Sequence, residues 1–277
     1  FLISNKIYIG IVLKQKYNQI IEKYSNKKKS IFLTFLFITF IISASLFYND
    51  IFNYSLFMNG IPALIIILGE MFPPDFTNIN TWYKPCLDSI TMSISSTFLA
   101  LIIALPLSFI AARNLSKFFL ITSIVRLYFS IFRAVPDLVM GIIIVAAVGF
   151  GSISGTLAIA IHSVGMLGKF ISESIERSDE QITNIIVANG ASKIQVLRFG
   201  ILPQIYQELV DLVMYRWEYN FRQSTIMGIV GAGGIGFELI MSLRLMNYQE
   251  VFAILLIIFV LITAVDSLSY VIRNSSK

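Results

Sequence analysis

The stretch GIVGAGGIGFEL at 228–239 puts Gly231, Gly233 and Gly236 on the G-x-G-x-x-G spacing that lets a backbone close around a dinucleotide pyrophosphate. That chemistry requires a strand before the glycines, a helix after them and an acidic residue about 20 positions on to hold the ribose. Here a charged stretch, 208–222, precedes them, an apolar run follows, and Glu250 and Asp266 stand at the wrong distances. A membrane oxidoreductase using NAD or flavin is therefore a poor account of these residues. Glycine has other uses at a membrane boundary. Gly228 with Ala232, and Ala232 with Gly236, are small residues four apart, which lets helices approach closely. Gly231, Gly233, Gly234 and Gly236 also permit positive φ and a sharp bend. The stretch is either a broken helix lining a pathway, tolerated at membrane depth where it faces protein or water, or a tight external turn.

Upstream lie Glu208, Asp211, Arg216, Glu218 and Arg222, in or beside an apolar segment. A charge at the bilayer centre costs about 2.5–3.5 kcal/mol, so each needs a partner or water. Glu218 and Arg222 are four apart and are expected to pair on one helix face. Arg216 has no carboxylate three or four residues away on either side. It either finds a partner on another helix or faces a wet cavity, where its planar fork offers a positive field to an anion. His162, the single histidine, is expected to be a hydrogen-bonded packing residue, since no Cys or second His stands ready to complete a zinc site. Tyr215, Trp217 and Tyr219 read as interfacial or core aromatics. No Ser/His/Asp set or paired carboxylates suggest catalysis. The nearest approach to a phosphate loop is Gly168-Lys169, but Ser163 stands where the first Gly belongs and Phe170 where Ser or Thr belongs. The chain is expected to be a non-enzyme, with no catalytic residues, no metal site, no bound cofactor and no ATPase site of its own.

The elements that hold these residues are legible from composition. Of 277 residues, 56% are hydrophobic and 13% charged, with a mean hydropathy of +0.79, far from the quarter charged of a soluble domain. Residues 34–49, 89–112, 138–168, 223–237 and 251–265 contain no Asp, Glu, Lys or Arg, and a helix needs roughly 20 mostly apolar residues to span. The chain is expected to be all-α, a polytopic helical membrane protein of about six transmembrane helices. Cys86 is the sole cysteine, so no internal disulfide can form. The net charge of +5 is of the sign that nucleic acid attracts, but its placement along the chain points to membrane topology instead.

Lys6, Lys14, Lys16, Lys23, Lys27, Lys28 and Lys29 precede the first apolar run, which places the amino terminus in the cytoplasm. Residues 31–48 are expected to be an uncleaved span rather than a secretion signal. The following loop, with Asp50, Glu70, Asp75 and Pro73-Pro74, is external, and 61–71 within it is an interfacial helix. Residues 89–112 return inward to Arg113 and Lys117, and an amphipathic stretch with Arg126 and Arg133 lies along the inner surface. Residues 138–150 cross outward, a Gly149–Gly155 turn reverses the chain, and 156–171 return. Residues 172–204 are cytoplasmic, 205–225 and 251–272 are the fifth and sixth spans, and Arg273 and Lys277 end inside. On this topology all basic residues except Lys84, Arg216, Arg222 and Arg244 are cytoplasmic. Residues 1–85 form a basic segment, first span and external loop, and 86–277 form the core domain.

In the inner stretch, Ser178 and Gln181 have the S-x-x-Q form of a capping box that starts a short helix, and Gly190 ends it. A second short helix, 191–199, is expected to close before Pro203, because a proline pushes its predecessor out of helical geometry. Two short helices make a rigid knob.

That stretch reads ANGASKIQVLRFGILPQI, with Leu202 and Pro203 twelve and thirteen positions after Gly190. It resembles the membrane subunits of binding-protein-dependent ABC importers, whose cytoplasmic loop carries E-A-A-x-x-x-G-x9-I-x-L-P. Asn184, Ile185 and Ile186 stand where E-A-A would, and Gly200 where the Ile would. LIIALPLSFIAARN, FRAVPDLVMGIIIVAAVGFG, AIHSVGMLGKFISESIE, YRWEYNFRQSTIMGIVGAGGIGFEL and VFAILLIIFVLITAVDSLS, in order, are similar to the phosphonate and phosphite importer permeases, from about Ser89 to the end. The resemblance implies a type I ABC importer permease fold like that of the methionine importer. It implies an ATPase-coupling loop at about 174–204, with Asn184, Gly190, Ala191, Ser192, Leu202 and Pro203. The translocation pathway or gate is expected at Arg216, Arg222, Gly231, Gly233, Gly234 and Gly236. The implied partners are two copies of an ATPase subunit, which would use ATP and Mg, a second permease copy as a homodimer or a paired permease, an extracytoplasmic substrate-binding protein and the lipid of a bacterial cytoplasmic membrane. The implied cargo is phosphonate, phosphite or a related phosphorus oxyanion. A secondary transporter or channel for a small anion is the competing reading.

Overall fold

The computed structural model describes residues 27–51, 53–116 and 118–276. Lys6, Lys14, Lys16, Lys23, Lys117 and Lys277 lie outside the described residues. Two units divide between Ile66 and Ile67, and among the described residues every regular element is helical.

In the first unit, α1 (Lys27–Tyr48) has a mean hydropathy of 2.3 and buries none of its apolar window against protein. Its threonines hide their hydroxyls by donating to carbonyls one turn back, Thr34 to Ser30 and Thr39 to Phe35, both at 2.9 Å, which suits a helix surrounded by hydrocarbon. The apolar segment expected at 61–71 is the latter part of α2 (Tyr54–Glu70).

In the second unit, α3 (Ile79–Ala111) runs 33 residues, about 50 Å at 1.5 Å per residue. It is longer than the expected span because it begins ten residues earlier and takes in Lys84 and Asp88. In the preceding loop Asp75 Oδ1 accepts the Thr77 N–H at 2.9 Å, and that bond holds the Asp75 carboxyl below the usual carboxylate range. After α3 come α4 (Phe119–Ala134) and α5 (Asp137–Val148), bent by 92° at Val135-Pro136. Within the expected crossing at 138–150, α5 has 12 residues, about 18 Å against a core of about 30 Å, so it reaches spanning length only when joined to α4 as one bent pair. Pro136 removes a donor and forces Val135 into extended backbone, ψ 123°, which sets the bend between α4 and α5.

The reversing turn is confined to Gly149, Phe150 and Gly151, with φ of +102° and +127° at the glycines; Gly155 already lies within α6 (Ser152–Glu176). This helix is the hub, packed against α3, α4, α5 and α9. Small residues allow it. A Cβ on Gly168 would meet the Phe129 ring of α4 at 2.3 Å, and one on Gly155 would meet Met92 Sδ of α3 at 2.7 Å. Ser108 of α3 donates to the Gly168 carbonyl at 3.1 Å, the kind of close polar contact that membrane helix packing relies on.

Then follow α7 (Glu180–Ala188), α8 (Lys193–Gln195), a π-helical turn (Val196–Ile201), α9 (Leu202–Met227), a 3-10 turn (Gly228–Val230), α10 (Ile235–Arg244) and α11 (Tyr248–Ser275). Among the described residues four helices, α1, α3, α6 and α11, are long and apolar enough to span. Two bent pairs, α4 with α5 and the 193–230 rod with α10, raise the count to six if each is one span.

Candidate translocation and coupling sites

Along the interior of the second unit, polar side chains from four helices form one connected junction. Arg216 of α9 is 2% exposed. Its Nε donates to Ser163 Oγ on α6 at 2.9 Å, and Nη2 lies 2.7 Å from His162 Nδ1. The guanidinium carbon sits 4.3 Å from the centre of the Tyr219 ring, a cation–π contact that offsets part of the cost of burial. Asp137, the first residue of α5, receives the Tyr219 hydroxyl on Oδ2 at 2.8 Å, and its Oδ1 lies 2.7 Å from His162 Nδ1. Ser163 donates onward to Asn220 Oδ1 at 3.0 Å, and Asn220 Nδ2 donates to Thr97 of α3 at 2.8 Å. Trp217 Nε1 reaches Ser93 at 3.3 Å.

The alternatives open for Arg216 thus meet an inter-helix network, and His162 is hydrogen-bonded as expected, within a charged cluster. Sequence reasoning missed Asp137 and gave it no role. The available signal was a carboxylate at the edge of one apolar segment, the single histidine within another, and an arginine with no carboxylate three or four residues away in a third. Each is costly alone, so they are natural partners.

The expected Glu218–Arg222 pair does not form. Arg222 makes a two-pronged contact with Asp266 of α11, at 3.0 and 2.9 Å, and Glu218 pairs with Arg273 of α11. On α9 these residues point toward a neighbouring helix, so a full carboxylate across the interface outcompetes the partner one turn away, which on an exposed surface is worth only about 0.2–0.5 kcal/mol.

The glycine cluster breaks the span. The rod 193–230 and α10 meet at 43°, with φ of +84°, +79° and +75° at Gly231, Gly233 and Gly234. The two arms cross in backbone contact: a Cβ on Gly236 would lie 1.7 Å from the Thr225 carbonyl oxygen, and one on Gly228 would lie 2.2 Å from the Phe237 nitrogen. Ser89 of α3 caps α10 by accepting the Ile235 N–H at 3.0 Å. The glycines follow a helix rather than a strand, so the dinucleotide context is not formed.

In the inner loop, Asp179 rather than Ser178 starts α7. Its carboxylate accepts the Gln181 N–H at 2.8 Å, while Ser178 donates back to the Ile175 carbonyl; a carboxylate at a helix N-terminus is also favoured by the dipole. Gly190 ends α7 with φ +82°. The second helix begins at Lys193, with a capping box between Ser192 and Gln195, and it does not close before Pro203. It widens into the π turn, where Leu202 N–H reaches back five residues to the Leu197 carbonyl, and continues as α9 with Pro203 in its first turn. There the missing N–H costs nothing. Asn184, Gly190, Ser192 and Pro203 are exposed, and Ala191 and Leu202 are half-buried. Ile186 Cδ1 lies 3.2 Å from where a Cβ on Gly200 would stand. The large and small residues at these two motif positions are exchanged together, which keeps the contact filled.

Residues 104–275 match the family of binding-protein-dependent transport system inner membrane components. The phosphite transport system permease protein PtxC of Stutzerimonas stutzeri is 46% identical over 237 residues, 86% of this chain and 86% of its own. The putative phosphite transport system permease protein HtxC of the same organism is 35% identical over 76% of this chain and 74% of its own. The phosphate-import permease protein PhnE of Mycolicibacterium smegmatis is 32% identical over 78% of this chain and 41% of its own. Among solved structures, an inward-facing MetNI methionine ABC transporter superposes with a TM-score of 0.63 at 17% identity, covering 71% of this chain and 96% of that one. An amino acid ABC transporter gives 0.60 at 17% identity, covering 73% and 98%. The chain belongs to the inner membrane components of binding-protein-dependent transport systems and is a multi-pass permease with the type I ABC importer fold.

Proposed function

We propose that this permease carries phosphonate, phosphite or a related phosphorus oxyanion across the bacterial cytoplasmic membrane, with Arg216 as the group that meets the anion. The observation that carries the reading is the state of Arg216. It is a buried guanidinium with no carboxylate oxygen within 4.0 Å among the described residues, and its hydrogen bonds to Ser163 and His162 use only part of its five N–H groups. A buried charge of that kind is stabilised by a counter-ion, and a guanidinium fork matches a tetrahedral oxyanion. The similarity to phosphite permeases points to the same cargo.

Two permease copies, identical or paired, would form the pathway, with both termini cytoplasmic. An extracytoplasmic binding protein would deliver the anion, and two ATPase subunits would grip the loops around Asn184, Gly190, Ala191, Ser192, Leu202 and Pro203. This chain contributes no ATPase site and binds no cofactor; ATP and Mg act on the partner. Residues 86–277 are the transport core, and Arg222 and the glycine break at Gly231, Gly233, Gly234 and Gly236 serve as gate.

The test is uptake of labelled phosphite into proteoliposomes holding the whole complex. Arg216→Ala is expected to lower uptake about 10- to 100-fold, the effect of losing a charged hydrogen-bonding partner worth about 1.5–3 kcal/mol, with assembly intact. Unchanged uptake removes Arg216 from the pathway. Uptake that persists when the ATPase subunit is inactivated favours the secondary transporter or channel.

A further inference from the structure

Two groups converge on one ring nitrogen. His162 Nδ1 is 2.7 Å from Asp137 Oδ1 and 2.7 Å from Arg216 Nη2, and a ring nitrogen presents either a hydrogen or a lone pair. With a lone pair it accepts from the guanidinium and faces the carboxylate without a proton between them. Asp137 Oδ1 is then a buried acceptor with no donor. With a hydrogen it donates to Asp137 and confronts the N–H of Arg216. Both contacts cannot be hydrogen bonds at once, so the junction has two discrete arrangements, each of which satisfies one charged neighbour and frees the other.

We propose that His162 is a proton-operated selector of the oxyanion site: a proton taken up at Nδ1 ties the imidazole to Asp137 and releases Arg216 to grip the transported anion. The inference rests on the reading of Arg216 given above. In the step, a proton from water adds to the Nδ1 lone pair of the neutral imidazole, whose Nε2 keeps its hydrogen. The new Nδ1–H donates to Asp137 Oδ1, and the Nη2–H leaves the ring for a P–O oxygen. The Asp137–His162–Arg216 set passes from neutral to one positive charge, which an incoming monoanion cancels. Proton and anion therefore favour each other's binding, by equal factors.

The position suits a selector. Asp137 follows the Pro136 bend, His162 lies midway along the hub helix α6, and Arg216 rides on α9, which is continuous with the inner loop. The charged and titratable groups on the packed elements are few. Asp137 comes from α5; Arg216 and Tyr219 come from α9, where Tyr215 is exposed and Glu218 is occupied by Arg273. On α4 the nearest cation in sequence is the half-buried Arg133, and α3 presents the uncharged Ser93 and Thr97 to the network.

The experiment compares the KM for phosphite uptake at pH 6 and pH 8 in the assembled complex, for the native chain and for His162→Asn, whose amide offers Arg216 an acceptor and Asp137 a donor on separate atoms. The phosphite's own ionisation contributes equally to both proteins, so the ratio between them is the readout. On acidification the KM of the native chain is expected to fall about tenfold more than that of the variant, within the usual range of coupling between sites, while the variant turns over more slowly because both arrangements are satisfied together. Identical pH dependence in the two, with Arg216→Gln inactive, overturns the selector and leaves the anion reading standing. Normal uptake by Arg216→Gln overturns the anion reading itself. If His162→Asn does not assemble, nitrogen NMR of the native complex, labelled on histidine in this chain only, decides. An imidazole whose protonation does not change from pH 5.5 to 8 in saturating phosphite refutes the proposal, and one that gains its proton more readily with phosphite present supports it.

Discussion

Gly236→Ala would put a methyl group 1.7 Å from the Thr225 carbonyl oxygen and 2.6 Å from its carbon. Both are backbone atoms in the last turns of α9, so no side-chain rotation relieves the overlap. Reaching even 3.0 Å requires the arms of the broken span to part by about 1.3 Å. Overpacking costs about 1–3 kcal/mol, and a backbone-on-backbone clash belongs at the upper end. At about 2–4 °C per kcal/mol for a chain of this size, melting should fall by roughly 6–12 °C. Gly233→Ala is the control. It has a positive φ, +79°, which Gly236 inside α10 lacks, and its methyl would make only ordinary contact, with Ser152 Oγ nearest at 3.6 Å, so it costs only the left-handed backbone, roughly 1–2 kcal/mol. The assay is thermal unfolding in detergent followed by tryptophan emission, since Trp82 shares a buried cluster with Ile235 at the start of α10. A Gly236→Ala protein that melts with the native chain, or a Gly233→Ala protein that loses more, would refute the backbone crossing.

Glu218→Gln and Arg222→Gln should destabilise additively within about 0.5 kcal/mol, because they break different inter-helix pairs. The Arg222–Asp266 pair is nearly half exposed, so its loss should cost only about 0.5–1 kcal/mol. Strong non-additivity in a double-mutant melt would restore the within-helix pair. Gly190→Val, at φ +82°, should strain the end of α7 and uncouple ATP hydrolysis from phosphite uptake in the assembled complex while the chain still inserts. Coupled uptake at the native rate would count against a docking role for the loop.

The long spans and the knob were legible because their signals are local: hydrophobic runs for α1, α3, α6 and α11, and Gly190 for the end of α7. What the sequence did not show came from competition between partners, some adjacent and some distant along the chain. Asp179 displaced Ser178 as the cap because a carboxylate complements the helix dipole better than a hydroxyl. Asp266 and Arg273 displaced the i,i+4 pairing because α11 lies against α9. The bend ahead of the 138–150 crossing had a local signal, Pro136, since hydropathy registers a run of apolar residues and not the break at its edge. The charged junction was half visible. Arg216 announced itself by having no neighbour to pair with, but nothing in the spacing linked it to Asp137 and His162, 79 and 54 residues away.

Pro203 shows why the inner loop and the junction belong to one mechanical element. A proline normally costs a helix one bond and bends it, and a bend there would let the loop move without disturbing the span. Here the π turn absorbs the missing donor, and the helix runs on from Lys193 through Arg216 to Met227. The 23 residues from Lys193 to Arg216 amount to about 35 Å of rod. A displacement of an ångström or two at the loop therefore arrives at Arg216 with little lost, and that is the scale on which Nη2 either keeps or loses its hydrogen bond to His162. Packed interfaces respond to such shifts by switching rather than by yielding continuously. A junction in which one nitrogen can satisfy only one of two charged neighbours is a place where such a switch can occur.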